Sequence, residues 1–410
     1  MNLTGEERAL LDGADGPGIA RAMEILVALG QVFDAPRMVP VLNAQISGIS
    51  FKNIGQSGLD FLADWADLGA RVQVPAYMNP GGVDRELWED LGISQEFADK
   101  QFRVVSTLER MGVTPFLSCT PYHGLTGPEP GQHLAWSESS AVIYANSVLG
   151  ARTNREGGPS ALAAAIAGRT PAYGLHTDAG RLACLRARVK VKNLRDISQF
   201  GALGYLAGQR AGSRVVLFEN LALPGNQAKR TWALKSLGSA MAAAGAVGLF
   251  HIAGMTPEAR DPNHLPLAPD AEYIEIDDLE PAYAALGGRS AGEVDLVFIG
   301  CPHLSRGELQ LLIEALRGRV VKTRLFLTSS QIVRAWARET GALDELFEMG
   351  VRLLADTCVV VAPLAEMNIR SVATNSAKAA VYIPSHHGIP VFLGTLDQCL
   401  TAAETGQWTS

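Results

Sequence analysis

Apolar residues along this chain follow two alternating rhythms: short strand-length runs, and longer segments in which they return every three or four positions, as on a helix with one buried face. Thr4, with Glu7 three positions on, is a capping-box pattern that opens a first helix, and residues 19–29 predict a second that stops at Gly30. Residues 38–42 read as a strand, 56–66 as a helix, 71–75 as a strand, and 95–111 as a helix with Phe97, Val104, Leu108 and Met111 on one face. A strand over 113–117 then delivers Cys119 at its carboxyl end. Ser137 caps a helix that Gly150 closes, and Gly157-Gly158-Pro159 starts another that ends at Gly168. Residues 181–192 alternate as a two-faced strand with Cys184 on its apolar phase, in the core.

The rhythm continues beyond residue 197. Helices are predicted over 197–207 and 228–244, strands over 215–218 and 247–251, and a proline-rich loop over 256–270. A strand over 294–299 ends in Gly300-Cys301-Pro302-His303. Helix 307–316, strand 324–327, helix 331–339 and strand 351–354 follow, and a last helix, 396–405, carries Cys399 as packing. The stretch 367–394 looks β-rich, with His386-His387 in a turn. Strands alternating with helices predict an α/β protein with parallel sheets. The proline-rich loop and the change of texture over 287–293 divide it into an N-terminal region, 1–286, and a C-terminal domain, 287–410.

At 410 residues and 47% hydrophobic, the chain can bury large cores. Its formal charge is -7 and no basic run is interleaved with aromatics, which argues against a nucleic-acid surface and favours a small-molecule partner. The most apolar window, 242–255, is short and interrupted by His251, so no membrane span is expected. The opening MNLTGEERALL has no positive segment ahead of an apolar one; no targeting peptide is expected, and the cytoplasm is the expected compartment. In that compartment the 5 cysteines, none in a CxxC pair, are thiols or metal ligands rather than a disulfide framework or a zinc finger.

Polar residues concentrate over 115–176, which reads as the wall of an active site. Glu138 and Ser139 fall in the first turn of the helix capped by Ser137, where the helix dipole favours a carboxylate or a bound anion. Arg152 and Arg155 either clamp a substrate carboxylate or phosphate or pair at the surface with Glu156. The loop 43–55, with Gly48 and Gly55, suits close approach of backbone to a ligand, or is a turn into the next helix; Asn79-Pro80-Gly81-Gly82 must turn sharply at a strand end. Cys119, Cys301 and Cys358 lie near strand ends beside polar turns, whereas Cys184 and Cys399 lie inside patterned elements. Three thiolates from three strands suit an iron–sulfur cluster with one iron open to substrate. The other readings are three buried free cysteines, or a cysteine nucleophile paired with His123 or His303. An open iron suits removal of a hydroxyl from a hydroxy acid, which also needs a base and a cationic grip. Glu138, Ser139, His123 and His176 are candidates for the first, and Arg152, Arg155 and Lys378 for the second, although Lys378 also reads as a solvated helix lysine.

Taken together, AQISGISFKNIG, YMNPGG, SCTPYHG, WSESSAVIYANSVLGARTNREGGPSALAAAI, IGCPH, DTC and ATNSAKAA, in this order over nearly the whole chain, resemble the large subunit of aconitase X. This is a remote branch of the aconitase superfamily whose members are dehydratases. The resemblance implies an α/β fold like the first three aconitase domains, several modules around a central cluster site, lacking the mobile fourth domain. It places the ligands of an iron–sulfur cluster, of open nuclearity, on Cys119, Cys301 and Cys358. It lines the substrate pocket with Gly48, Ile49, Ser50, Asn79, Pro80, Glu138, Ser139 and Lys378, of which Glu138, Ser139 and Lys378 are the catalytic candidates. Ordinary aconitases carry two cluster cysteines in a CxxC pair; its absence here makes citrate or isopropylmalate isomerisation unexpected.

In the aconitase architecture the mobile domain closes over the cluster and brings a serine used in proton transfer. In aconitase X this part is either fused or a separate small subunit. A chain ending at Ser410 has little room for it, so a heterodimer with a separate small subunit is expected, with this chain inactive alone. Two reactions belong to the family: dehydration of cis-3-hydroxy-L-proline to Δ1-pyrroline-2-carboxylate, and dehydration of (R)-5-phosphomevalonate to trans-anhydromevalonate 5-phosphate in the archaeal-type mevalonate pathway. The Ala-, Gly- and Arg-rich composition points to a GC-rich bacterial source, where amino-acid catabolism is the expected setting, so hydroxyproline is the preferred substrate; phosphomevalonate is the alternative, since the archaeal heterodimeric enzymes share this chain layout. A non-catalytic, metal-free binding protein of the same fold is a second alternative.

Overall fold

A computed structural model describes residues 1–124, 127–287 and 291–409. The first helix, Gly5–Leu11, begins at the reciprocal cap expected: the Glu7 N–H donates to Thr4 Oγ1 at 3.2 Å and the Thr4 N–H to Glu7 Oε2 at 2.8 Å. The second, Pro17–Val32, runs through Gly30 instead of stopping there. That glycine is a contact point, since a Cβ on it would lie 2.5 Å from Met1 Sδ. The helices surround a small parallel sheet in the order Ala76–Met78, Ala44–Ile46, Ala135–Trp136. Met38–Pro40 pairs antiparallel with Arg169–Pro171 beside it.

Three expectations in this part are corrected. Residues 71–75 are not a strand; the strand starts after Pro75, at Ala76. Residues 113–117 give only an isolated bridge from Thr114 to Tyr77, because Leu117 adopts φ 51° and turns the chain away. The helix expected from residue 56 is Phe51–Asp67, broken at Gly55, where φ is 58°.

The second sheet is also parallel, in the order Phe250–Ile252, Val216–Glu219, Ala183–Val189, Leu267–Ile276. The helices Ile197–Ala211 and Gln227–Gly245 pack through glycines: a Cβ on Gly204 would sit 2.2 Å from the Leu237 carbonyl oxygen. Leu267–Ile276 is an edge strand with mostly exposed or half-buried residues, which is why its sequence reads as a loop. Along Ala183–Val189 the buried positions are Ala183, Leu185, Ala187 and Val189. Cys184 therefore faces the half-buried side and is not core.

The third sheet has the order Val351–Leu354, Arg324–Ser329, Leu296–Leu304, Val372–Thr374, Val391–Leu393, all parallel. Leu296–Leu304, the first of these in sequence, lies in the middle with later strands on both sides. That is a topological switch point, and in open parallel sheets the crevice beyond the carboxyl ends there is where ligands bind. Residues 367–394 are not β-rich as expected; the helix Ala377–His387 lies between two short strands, started by Ser376, whose Oγ accepts the Ala379 N–H at 3.2 Å. His386 and His387 are its last residues rather than a turn.

Buried polar contacts tie the three sheets together. The Asn79–Gly82 turn joins the third sheet where the Gly81 N–H donates to the Asp356 carbonyl at 2.8 Å. Close by, Asp84 and Arg334, both buried, form an ion pair at 2.6 Å. Between the second and third sheets, Lys235 and Glu308 pair at 2.6 Å with no side-chain exposure on either. Among the described residues no helix is long and apolar enough to cross a membrane, and the window 242–255 is part helix, part strand. Of the texture change over 287–293, residues 288–290 lie outside the described residues. The flanking Ala291–Glu293 pairs antiparallel with Gln407–Thr409.

Candidate active site

Cys119, Cys301 and Cys358 line one cavity of about 220 Å³ at the meeting of the first and third sheets. Each is delivered by a local backbone feature. Leu117 in the left-handed region turns the chain so that Cys119 points inward, where its Sγ accepts the His303 N–H at 3.2 Å. Gly300 has φ 113°, and a Cβ there would lie 2.6 Å from the Thr328 carbonyl oxygen, so only glycine brings Cys301 into place within Leu296–Leu304, where the pairing register shifts. The Cys301 carbonyl accepts a 2.6 Å bond from Ser376 Oγ. Cys358 follows Asp356, which has φ 64°, and its carbonyl starts a turn by accepting the Val361 N–H at 2.9 Å.

Burial pushes the Cys119 thiol up to about 12. The nearby Cys358 thiol pulls Cys301 down, and Cys301 together with burial pushes Cys358 well up. Three thiolates at this depth need a strong positive charge among them. Among the described residues no three His, Cys, Asp or Glu side chains converge closely enough for a single metal ion. A set of three soft donors spread around a cavity fits a polynuclear iron–sulfur group, which spaces its ligands further apart.

Facing the cysteines is a largely buried ion pair, Glu138 Oε1 with Lys378 Nζ. The other Glu138 oxygen accepts Asn79 Nδ2 at 2.8 Å, and Ser140 Oγ donates to Oε1 at 3.1 Å. Burial alone would raise the Glu138 carboxyl, but the Lys378 charge and hydrogen bonds from Lys378, Asn79 and the Ser140 N–H outweigh it and hold Glu138 at about 2. Burial likewise opposes the Lys378 charge, and Glu138 overcomes it, so Lys378 is raised above its ordinary range. Both groups are ionised at neutral pH.

Glu138 sits one position earlier than expected: it is itself the N-cap of Ser139–Tyr144. Ser137 instead stitches the first sheet, donating to the Gln45 carbonyl at 2.7 Å and accepting the Ser47 N–H at 2.6 Å. The helix continues as a π-helical turn, Ala145–Leu149, and closes at Gly150 with φ 74°. Ser139, Asn79 and Pro80 line the cavity. Ser47 lines it too, with exposed Gly48 next in the chain at φ 71°. Ile49 packs in the first core and Ser50 Oγ donates to the Val361 carbonyl at 2.9 Å, so these two shape the loop instead of lining the cavity.

The two arginines part company. Arg155 is exposed and lines the cavity, with Nη1 donating to the Ala242 carbonyl at 2.9 Å and no ion pair among the described residues. Glu156 is buried and bonds Ser160 Oγ at 2.6 Å, not an arginine. Arg152 does not reach the site. It donates to Asp178 at 2.5 Å and to the His176 carbonyl at 3.2 Å, lining a different pocket. Two side chains three positions apart in this non-helical run face opposite sides, so they cannot clamp one anion. His123 and His176 do not line the cavity either, and burial pushes each down to about 3.

Tyr382 and His386 also line the cavity and were not anticipated. With Lys378 they are spaced i, i+4 and i+8 on one face of Ala377–His387, a signal visible only once the segment is read as a helix.

Parallel sheets meeting at a switch point, three inward thiols and an ionised carboxylate–ammonium pair define an α/β enzyme that acts on a small polar substrate. Models of the aconitase X first, second and third domains match residues 1–179, 185–284 and 294–405. The chain is 41% identical over 408 residues to the phosphomevalonate dehydratase large subunit of Methanocaldococcus jannaschii, covering 98% of this chain and 99% of that one. It is 32% identical over 410 residues to the cis-3-hydroxy-L-proline dehydratase of Pseudomonas aeruginosa, covering 98% of this chain and 70% of that one. The crystal structure of Thermococcus kodakaraensis aconitase X, holo-form, superposes with a TM-score of 0.90 at 40% identity, covering 98% of this chain and 100% of that one. The chain belongs to the aconitase X family, and its enzyme class is hydro-lyase. The order of the two expected substrates is reversed by these similarities, which favour the phosphomevalonate reading.

Proposed function

We propose that this chain is the large subunit of a two-subunit hydro-lyase that converts (R)-5-phosphomevalonate to trans-anhydromevalonate 5-phosphate. The observation that carries the reading is the convergence in one cavity of three cysteines, the Glu138–Lys378 pair and Arg155. The choice of substrate rests on similarity to phosphomevalonate dehydratase large subunits and on their nearly equal length.

Cys119, Cys301 and Cys358 would hold an iron–sulfur cluster. When bound, it supplies a Lewis acid for the departing hydroxyl. Lys378 grips the substrate carboxylate deep in the cavity, and Arg155 takes the phosphate at the mouth. A carboxylate that shares Lys378 relieves Glu138 of its main counter-charge, and burial then raises its basicity. Glu138 accepts the proton from the carbon next to the substrate carboxylate as the hydroxyl leaves the adjacent carbon, and a double bond forms between them. Asn79, Ser139 and Ser140 hold the Glu138 carboxylate in place. A separate small subunit covers the mouth, and the complex works in the cytoplasm, where all five cysteines stay free thiols or ligands.

Arg155→Gln tests the assignment of the two anionic ends. Losing a charged hydrogen bond costs about 1.5–3 kcal/mol, so KM for phosphomevalonate should rise roughly ten- to a hundredfold with a much smaller change in kcat. An unchanged KM overturns the role of Arg155.

A further inference from the structure

The three cysteines arrive on segments far apart in sequence, and one residue joins all three segments. His303 lies two positions after Cys301 and is fully buried. Its peptide N–H donates to Cys119 Sγ at 3.2 Å. Its ring reaches the other loops: Nδ1 is 3.1 Å from Ser118 Oγ, beside Cys119, and Nε2 is 2.9 Å from the Thr357 carbonyl, beside Cys358. A carbonyl only accepts, so Nε2 carries the proton and Nδ1 accepts from the Ser118 hydroxyl. One neutral imidazole satisfies both partners. The His303 carbonyl is fixed in turn by Lys235 Nζ at 2.7 Å, itself paired with Glu308 at 2.6 Å.

We propose that His303 is the positioning residue of the cysteine site, its imidazole and its own peptide N–H together setting the spacing of Cys119, Cys301 and Cys358. The inference rests on the reading that these cysteines hold an iron–sulfur cluster. Groups that orient metal ligands in this way change metal affinity by about ten- to a hundredfold when lost. An N–H donated to a ligand sulfur also raises the reduction potential of a cluster, so a slackened bond lowers it. A packing role alone would leave that potential where it is.

The test uses the two-subunit protein, purified anaerobically. Iron per chain, the rate at which EDTA bleaches absorbance near 400 nm, and the reduction potential are compared for wild type, His303→Leu, His303→Asn, His303→Gln and Ser118→Ala. His303→Leu should bleach at least about tenfold faster and show a lower potential. His303→Asn, which keeps an acceptor for Ser118, and His303→Gln, which keeps a donor for Thr357, should fall between it and wild type. Should His303→Leu fail to fold, Ser118→Ala removes only one arm and should still bleach faster than wild type. Wild-type bleaching and potential in every folded variant overturn the role of His303. A wild-type protein without iron overturns the cluster assignment itself, a separate result.

Discussion

Cys301→Ser is expected to strip the iron and lower the dehydration rate by at least about a thousandfold, the scale of removing several kcal/mol of Lewis-acid stabilisation. The substitution is nearly isosteric, and Leu296–Leu304 is buried along its whole length, so the fold should survive. What changes is the donor: a serine hydroxyl is a far weaker acid and a harder donor than a thiol, so it is a poor ligand for iron–sulfur chemistry. Cys184→Ser is the matching control. Cys184 faces the half-buried side of the second sheet, away from the cavity, and its replacement should leave iron content and rate at the wild-type level. Iron per chain and turnover, measured on both variants beside wild type, decide the matter; full iron in Cys301→Ser contradicts the ligand assignment.

The second large effect concerns the ion pair. Lys378→Met leaves Glu138 buried without its counter-charge, and breaking a buried pair from one side costs about 3–5 kcal/mol. Without the Lys378 charge, burial pushes the Glu138 carboxyl up from its wild-type position, opposed only by the hydrogen bonds from Asn79 and the Ser140 N–H. The double variant Glu138→Gln with Lys378→Met leaves no charge buried and should regain most of the lost stability, while activity stays absent in both. The pH profile follows from the direction of the shifts. Glu138 is lowered on folding from 4.5 to about 2, so its contribution is complete above about 4.5 and is lost as pH falls toward 2. Lys378 is raised above 10.5, so its contribution is complete below that value and is lost only at higher pH. Between these limits the pair's contribution is flat. The double variant should lack the acid limb, and denaturant midpoints from pH 2 to 8 would reveal it.

How much of this was legible in the chain varies with the physics of each element. The three cysteines and Glu138 stood out because polar or reactive residues at the ends of apolar runs are unusual in core sequence. The capping box at Thr4 and the helix end at Gly168 carry their own local signals. Leu117 gave no warning, since a leucine in the left-handed region is held there by its surroundings and not by its own preference. The edge strand Leu267–Ile276 hid because an exposed strand needs no apolar alternation. The β-branched and aromatic residues of 367–394 gave that stretch a β-rich look, which concealed the helical spacing of Lys378, Tyr382 and His386. Arg152 and Arg155 looked like a pair only because they are close in sequence; facing is a property of backbone conformation. His303 is legible only in three dimensions, since its partners lie on loops distant in sequence.

The most direct measurement is kcat/KM of the two-subunit protein, co-expressed and kept anaerobic, for (R)-5-phosphomevalonate and for cis-3-hydroxy-L-proline. Turnover of phosphomevalonate to trans-anhydromevalonate 5-phosphate, with hydroxyproline slower by at least about a hundredfold, is the predicted result, since hydroxyproline offers Arg155 no phosphate. Dehydration of hydroxyproline alone, with the cluster intact, would contradict it.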